Sequence, residues 1–211
     1  MRAIVVGGGD KPSKRLIEYY LDSETIIIAA DGGANCLHQY GIVPNYLLGD
    51  FDSIDSRVLR ELKDNTFTER FPIEKDYTDS DLALEKAIEK GATEVVFFGC
   101  TGKRLDHFLG NLCVLYKGLK RGIKASIIDE NNKLFLVNES TTLKGAKGEI
   151  FSLLSYFEEV KGLTIEGAKY PLKNFHLDLG NNLTISNEFD RDEVKLKFDS
   201  GILMVMLSKD E

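Results

Sequence analysis

The chain has 211 residues, 43% of them hydrophobic and 29% charged, with a net charge of −7. That length holds one large domain or two modest ones, and the balance is that of a folded globular protein rather than a disordered one. The acidic excess argues against nucleic acid as a partner, which would need a basic stripe, and no apolar run approaches the roughly 20 residues of a membrane span.

The N-terminus enters a strand directly at Ala3-Ile4-Val5-Val6 and shows no signal-peptide cleavage pattern. Gly7-Gly8-Gly9-Asp10 follows. A glycine turn after a first strand can bring backbone N–H groups to a phosphate, but the spacing is that of neither a dinucleotide fingerprint nor a P-loop, so a plain turn is an equal reading. A helix is expected over 13–21, and a buried strand over 25–30 runs into Asp31-Gly32-Gly33-Ala34-Asn35. Asp31 stands either as the cap of a helix over 34–40 or where a doubly wound sheet places its ligand. A third apolar run, Asn45-Tyr46-Leu47-Leu48, ends at Gly49-Asp50-Phe51-Asp52-Ser53. These residue types also make ordinary turns, yet two carboxylates at a strand's C-terminal edge suit Mg²⁺, which takes few protein ligands and completes its shell with water and phosphate.

Helix 55–63 and strand 66–71 come next, then Lys75-Asp76-Tyr77-Thr78-Asp79-Ser80-Asp81 before a helix over 82–90. Acids are favoured at a helix start by the dipole, but these exceed the needs of one cap, and Asp79 is a candidate third ligand beside Asp50 and Asp52. Strand 94–98 ends at Gly99-Cys100-Thr101-Gly102-Lys103-Arg104-Leu105-Asp106-His107. The helix after it carries Leu105, Phe108, Leu109, Leu112, Tyr116 and Leu119 at core spacing. That leaves Lys103, Arg104, Asp106 and His107 at its start, either as a polyphosphate seat or as a solvated first turn. Strand 125–129 closes the alternating pattern.

Alternation to this point predicts an α/β fold, Rossmann-like, with a mainly parallel sheet and helices on both faces. Beyond it, strand-like runs at 133–137, 149–154, 162–166, 194–198 and 203–207 without a convincing helix predict a small all-β sandwich or barrel. The expected division is 1–138, an α/β catalytic domain binding a nucleoside polyphosphate and metal, and 139–211, a β-sandwich. Cys36, Cys100 and Cys113 are odd in number and widely spaced, which suits reduced thiols in a cytoplasm. The histidines are equally scattered, so the chemistry rests on carboxylates. Acidic loops after several parallel strands, with a basic glycine turn at another strand end, suit Mg²⁺-dependent chemistry on a nucleoside polyphosphate.

Asp31-Gly32-Gly33-Ala34-Asn35, Gly49-Asp50-Phe51-Asp52-Ser53, Asp76-Tyr77-Thr78-Asp79 and Gly102-Lys103-Arg104-Leu105-Asp106-His107 together resemble the ordered motifs of the thiamin pyrophosphokinase family. Gly167-Ala168-Lys169-Tyr170-Pro171-Leu172 and Ser186-Asn187-Glu188 extend the resemblance over nearly the whole chain. The resemblance implies transfer of a pyrophosphoryl group from ATP to the hydroxyl of thiamin. It also implies a homodimer whose active site is shared between one subunit's α/β domain and its partner's β domain. By motif match, Asp50, Asp52 and Asp79 would hold Mg²⁺. Lys75, Asp76, Lys103, Arg104, Asp106 and His107 would serve ATP, and Asp79 or Asp106 would take the hydroxyl proton. Asn35 and Tyr170 would meet thiamin, as would Ser186 and Asn187 from the partner subunit, and Asp31 would serve either the substrate or the metal. Some family members carry Trp near Lys169-Tyr170-Pro171, whereas this chain has none; Tyr170 either stacks on a heterocycle or belongs to the core. The rival readings are a diphosphokinase for another hydroxymethyl heterocycle, such as a pterin, and a nucleotide- or thiamin-binding sensor without turnover.

Overall fold

The computed structural model describes residues 1–72 and 76–209, and the chain divides into two compact units, Met1–Glu130 and Asn131–Glu211. In the first, strands β1 (Arg2–Val6), β2 (Ile26–Ala30), β3 (Tyr46–Gly49), β4 (Phe67–Arg70), β5 (Glu94–Phe98) and β6 (Lys124–Ile128) alternate with helices α1 (Lys14–Tyr20), α2 (Gly33–Gln39), α3 (Ser56–Leu62), α4 (Asp79–Glu89) and α5 (Leu105–Lys120). The strands lie in the order β6-β5-β1-β2-β3-β4, and each neighbouring pair is parallel.

Ile4 and Val6 of β1 share a core with Ile17 of α1, Leu37 of α2 and Val58 and Leu62 of α3. The alternate residues Ala3 and Val5 are just as buried. They point to the opposite face by the two-residue period of a strand, and α4 packs against β1, β2 and β3. Burial of both faces is why these strands read as continuous apolar runs rather than alternating ones. The strand order places the site: from β1 the chain builds outward through β2, β3 and β4, then returns to build β5 and β6 on the other side. The loops leaving β1 and β5 therefore diverge at their C-terminal ends, the position where open α/β sheets take ligands.

The second unit holds β7 (Asn132–Val137), β8 (Thr141–Lys144), β9 (Ile150–Ser155), β10 (Val160–Glu166), β11 (Leu172–Leu177), β12 (Asn187–Glu188), β13 (Glu193–Lys197) and β14 (Leu203–Ser208). All its pairings are antiparallel: β7, β14, β9 and β12 in one set, and β8, β13, β10 and β11 in the other. Phe151, Leu153 and Val205 of the first set share one core with Leu163, Val194 and Leu196 of the second. This is a sandwich.

Several details differ from the sequence expectation. Across the whole chain the strand pairings are mixed, parallel in the first unit and antiparallel in the second. The division falls after Glu130 rather than at 138, because β7 pairs along its length with β14. Strands β8, β11 and β12 had no clear sequence signal; β8 and β11 are sheet edges and β12 is two residues long. Helix α4 begins at Asp79, three residues before the expected start at 82, because Thr78 caps it: its hydroxyl accepts from the Asp81 N–H, and the Asp81 carboxylate accepts from the Thr78 N–H. The proposed core stripe of α5 holds only in part. Leu105 is 72% and Leu109 59% exposed, and the buried positions run from Leu112 to Gly118, the stretch that packs on β6 and α4.

Candidate active site

The turns that leave β1 and β5 are zipped together. The Gly7, Gly9 and Asp10 N–H groups donate to the carbonyls of Phe98, Gly99 and Thr101 at 2.8, 2.8 and 2.9 Å. This approach demands glycine: a Cβ on Gly9 would stand 2.1 Å from the Thr101 carbonyl oxygen and 2.6 Å from that of Gly99. Asn111, one face of α5 away, donates from Nδ2 to the Cys100 carbonyl at 2.9 Å and pins the second turn. Above these turns opens a cleft of about 660 Å³, within the usual range for a small-molecule site. Its floor is Gly7 to Asp10 and Gly99 to Gly102, one wall is Asp31, Gly32 and Ser53, another is Thr78, Asp79 and Ser80, and a third is Lys103, Arg104, Asp106 and His107.

The acidic side is built by β2 and β3. Asp31 follows β2 with a φ of 44°, and its N–H donates to the Leu48 carbonyl at 2.8 Å. Gly49 closes β3 with a φ of 145°, and a Cβ there would stand 3.0 Å from the Asp31 Cβ. Glycine thus lets the Asp50 to Ser53 turn lie directly against Asp31. Carboxylate oxygens of Asp31, Asp50 and Asp52 all lie within 4.8 Å of one another. Asp31 is 8% exposed, and its Oδ1 is buried without a hydrogen-bond partner. Burial pushes its carboxyl above the ordinary value, against the pull of the Ser53 hydroxyl and the Gly32 N–H, and the nearby charges of Asp79 and Asp50 push the same way. A buried acceptor with no donor, among converging acids, is the donor set of a hard divalent cation.

The turn itself is held from outside. Asn35 of α2 donates from Nδ2 to the Ser53 carbonyl at 2.9 Å and accepts from the Asp55 N–H at 3.0 Å. Arg70 of β4 donates from Nε to the Asp50 carbonyl at 3.2 Å. The Asn35 amide, expected to meet substrate, is engaged in holding the turn. On the basic side, Arg104 forms a two-pronged pair with Asp106, Nε to Oδ1 at 3.2 Å and Nη2 to Oδ2 at 2.6 Å. That pairing holds the Asp106 carboxyl down at about 2. Asp76 is exposed and does not line the cleft, and Lys75 lies outside the described residues.

The remaining candidates belong to the second unit. Tyr170 is 57% exposed, with the Lys169 ammonium 5.4 Å from its ring centre. Ser186 has a φ of 56° and donates its N–H to the Ser152 hydroxyl at 3.0 Å. Asn187 is 3% exposed; its Oδ1 accepts from the Tyr170 and Glu188 N–H groups, and its Nδ2 donates to the Tyr170 carbonyl. Its amide therefore braces the turn that presents Tyr170. Elsewhere in this unit His176 sits 3.0 Å from Glu159 and 3.4 Å from Asp178, an exposed ion-pair group that the scattered histidines did not suggest. Ser53, Ser80 and Asn111 join the first unit's site without having been expected. Ser53 alone had a signal, as the residue that ends Asp-x-Asp-Ser.

A glycine-floored cleft at a topological switch point, with clustered carboxylates on one side and cations at a helix start on the other, is an α/β arrangement that could take a metal-bound polyphosphate. Residues 17–127 match the family model described as the catalytic domain of thiamin pyrophosphokinase, and residues 137–203 match that described as its vitamin B1 binding domain. The thiamine pyrophosphokinase of Bacillus subtilis is 39% identical over 209 residues, 98% of each chain. The crystal structure of thiamine pyrophosphokinase from that organism covers 100% of both chains at 36% identity with a TM-score of 0.92. The one from Geobacillus thermodenitrificans covers 100% and 99% at 32% identity with a TM-score of 0.88. The chain belongs to the thiamin pyrophosphokinase family.

Proposed function

We propose that this chain transfers the pyrophosphoryl group of ATP to the hydroxyl of thiamin, giving thiamin diphosphate and AMP. The observation that carries the proposal is that Asp31 lines one cleft with the glycine turns and the Lys103–His107 segment, while carboxylate oxygens of Asp50 and Asp52 lie within 4.8 Å of its own, in a family member. ATP lies with its phosphates over the glycine turns, where Lys103, Arg104 and His107 counter their charge. Asp31, Asp50 and Asp52 would hold Mg²⁺, with Asp79 beside them, which takes the metal side of the two roles open to Asp31. Bound there, Mg²⁺ screens the phosphate oxygens and lowers the charge on departing AMP.

The thiamin hydroxyl oxygen forms a bond to the β-phosphorus, and the bond from that phosphorus to the oxygen bridging it to the α-phosphorus breaks, its electron pair leaving with AMP. The hydroxyl proton passes to a carboxylate. Asp106, kept ionised by Arg104 down to about 2, is a weak acceptor; Asp79, on another wall of the cleft, is the other candidate. The fold of the first unit is of the Rossmann-like kind with a mainly parallel sheet. The second unit binds thiamin through Tyr170 and Ser186 and dimerises, so that the partner's β unit completes the site. Free Cys36, Cys100 and Cys113 suit a cytoplasmic enzyme.

A product assay with ATP, Mg²⁺ and thiamin that resolves AMP from ADP tests the reading. Thiamin-dependent AMP with thiamin diphosphate is expected; ADP would mean transfer of a single phosphate. The pterin-type reading is disfavoured because the second unit matches a vitamin B1 binding model. Turnover on a pterin but not on thiamin would revive it.

A further inference from the structure

Asp81 is a buried carboxylate for which the reaction has no use. It is the third residue of α4 and only 7% exposed. Its Oδ2 accepts from the Thr78 N–H at 3.1 Å and the Thr78 hydroxyl at 3.0 Å, and its own N–H donates to that hydroxyl at 3.2 Å. This capping box uses one oxygen. The other, Oδ1, is taken by the Lys117 ammonium at 2.5 Å, reaching across from the fourth turn of α5. Helices α4 and α5 supply facing walls of the cleft, Thr78, Asp79 and Ser80 on one and Arg104, Asp106 and His107 on the other. The Asp81–Lys117 pair ties them together behind it.

The same two helices offer their own comparison. Four residues along each, Glu85 and Arg121 form a second pair at 2.5 Å, with both side chains 50% exposed. In the first pair only the carboxylate is buried, the Lys117 side chain being 48% exposed against 10% for Asp81; removing the ammonium leaves a buried carboxylate without its counter-charge, whereas a pair exposed at both ends is screened and contributes little.

We propose that Asp81 and Lys117 are a positioning pair. They fix the first turn of α4, and with it Asp79 and Ser80, against the fourth turn of α5, so the cleft stands assembled before ATP and its cation arrive. The inference rests on the reading of the cleft as a polyphosphate and cation site.

Lys117→Met removes the ammonium but keeps most of the stem, Lys117→Arg keeps the charge, and Arg121→Met removes the exposed pair on the same helices. Circular dichroism first establishes that each variant is folded. Thiamin-dependent AMP formation is then measured with ATP varied, and Mn²⁺ binding in the presence of ATP without thiamin is followed by electron paramagnetic resonance. Lys117→Met is expected to lower kcat/KM for ATP by about 10-fold or more and to weaken Mn²⁺ binding, with the thiamin KM little changed. Lys117→Arg should recover most of the loss, and Arg121→Met should stay within about twofold of the parent. A folded Lys117→Met with parental ATP kinetics and Mn²⁺ binding overturns the inference, as does an equal loss in Arg121→Met. If Lys117→Met does not fold, the double variant Asp81→Asn with Lys117→Met removes both charges and keeps the cap. Parental ATP kinetics and Mn²⁺ binding there would overturn it too. Failure of the functional reading is distinguishable, since it appears in the parent chain as an absence of thiamin-dependent AMP, while the Mn²⁺ comparison between variants still tests the pair.

Discussion

Asp31 shows what the site's chemistry costs the fold. It occupies a left-handed backbone conformation that Asp tolerates better than most residues, and it is buried with Oδ1 unpartnered. Its carboxyl is raised, first by burial. A carboxyl that binds its proton more tightly when folded than when unfolded contributes stability below the unfolded value, and that contribution is lost as pH rises through the folded value. At neutral pH without a cation, the ionised group is therefore a net burden. Asp31→Asn keeps the shape and removes the charge. It is expected to raise the Tm of the cation-free protein at pH 7, with the gain shrinking toward pH 4. The parent should gain Tm on adding Mg²⁺ and the variant much less, while its turnover collapses. Calorimetry at two pH values, with and without Mg²⁺, checks this; a lower Tm for the cation-free variant at pH 7 would show that the Ser53 and Gly32 hydrogen bonds outweigh burial. The sequence offered Asp31 as either a cap or a ligand, because the choice depends on how close Gly49 brings the next strand, and no local pattern carries that distance. For the same reason the hold of Asn35 on the acidic turn was not legible: its partners, Ser53 and Asp55, lie 18 and 20 residues away.

At the scale of elements, β1, β2, β3, β5 and β6 were legible because burial writes a largely apolar run, and each of these runs ends at a glycine or an aspartate. Helix α4 was misjudged because Thr78 and Asp81 look like turn residues until their reciprocal hydrogen bonds are seen. Edge strands such as β11, with exposed Lys173 and His176, carry no apolar run at all. The Gly7 to Asp10 turn had only a weak signal, since its spacing matches no known fingerprint; its role comes from pairing with a second turn about ninety residues on. That pairing is testable. In Gly9→Ala the added Cβ meets two backbone carbonyls, and neither can rotate away as a side chain would. The turns must separate, at a cost of about 1–3 kcal/mol, and the cleft floor moves. The expected outcome is a lower urea midpoint and an ATP KM raised by about 10-fold, with the thiamin KM close to the parent's. A variant with parental ATP kinetics would show that the phosphates do not rest on these turns.

At the scale of the whole molecule, the predicted residues fall into two groups. Of those in the first unit, Asp31, Asp79, Lys103, Arg104, Asp106 and His107 line one cleft, whereas Tyr170, Ser186 and Asn187 belong to a sandwich with a core of its own. Antiparallel pairing between distant segments, such as Asn187 with Phe151, is what sequence reading resolves least, and the bracing of Tyr170 by the Asn187 amide was not visible without it. If the active site is completed by the partner subunit, Asp52→Asn and Tyr170→Ala damage different halves of it. A hybrid dimer then carries one site with both lesions and one with neither. Random exchange in an equimolar mixture makes half the dimers hybrids, so about a quarter of all sites are intact. Activity at a thiamin concentration low enough to make Tyr170→Ala nearly silent should therefore rise on mixing to about a quarter of the parent's, although each variant alone is close to inactive. Subunit exchange is verified separately, by mass spectrometry of differently labelled chains. Exchange without recovery would place both halves of the site in one chain.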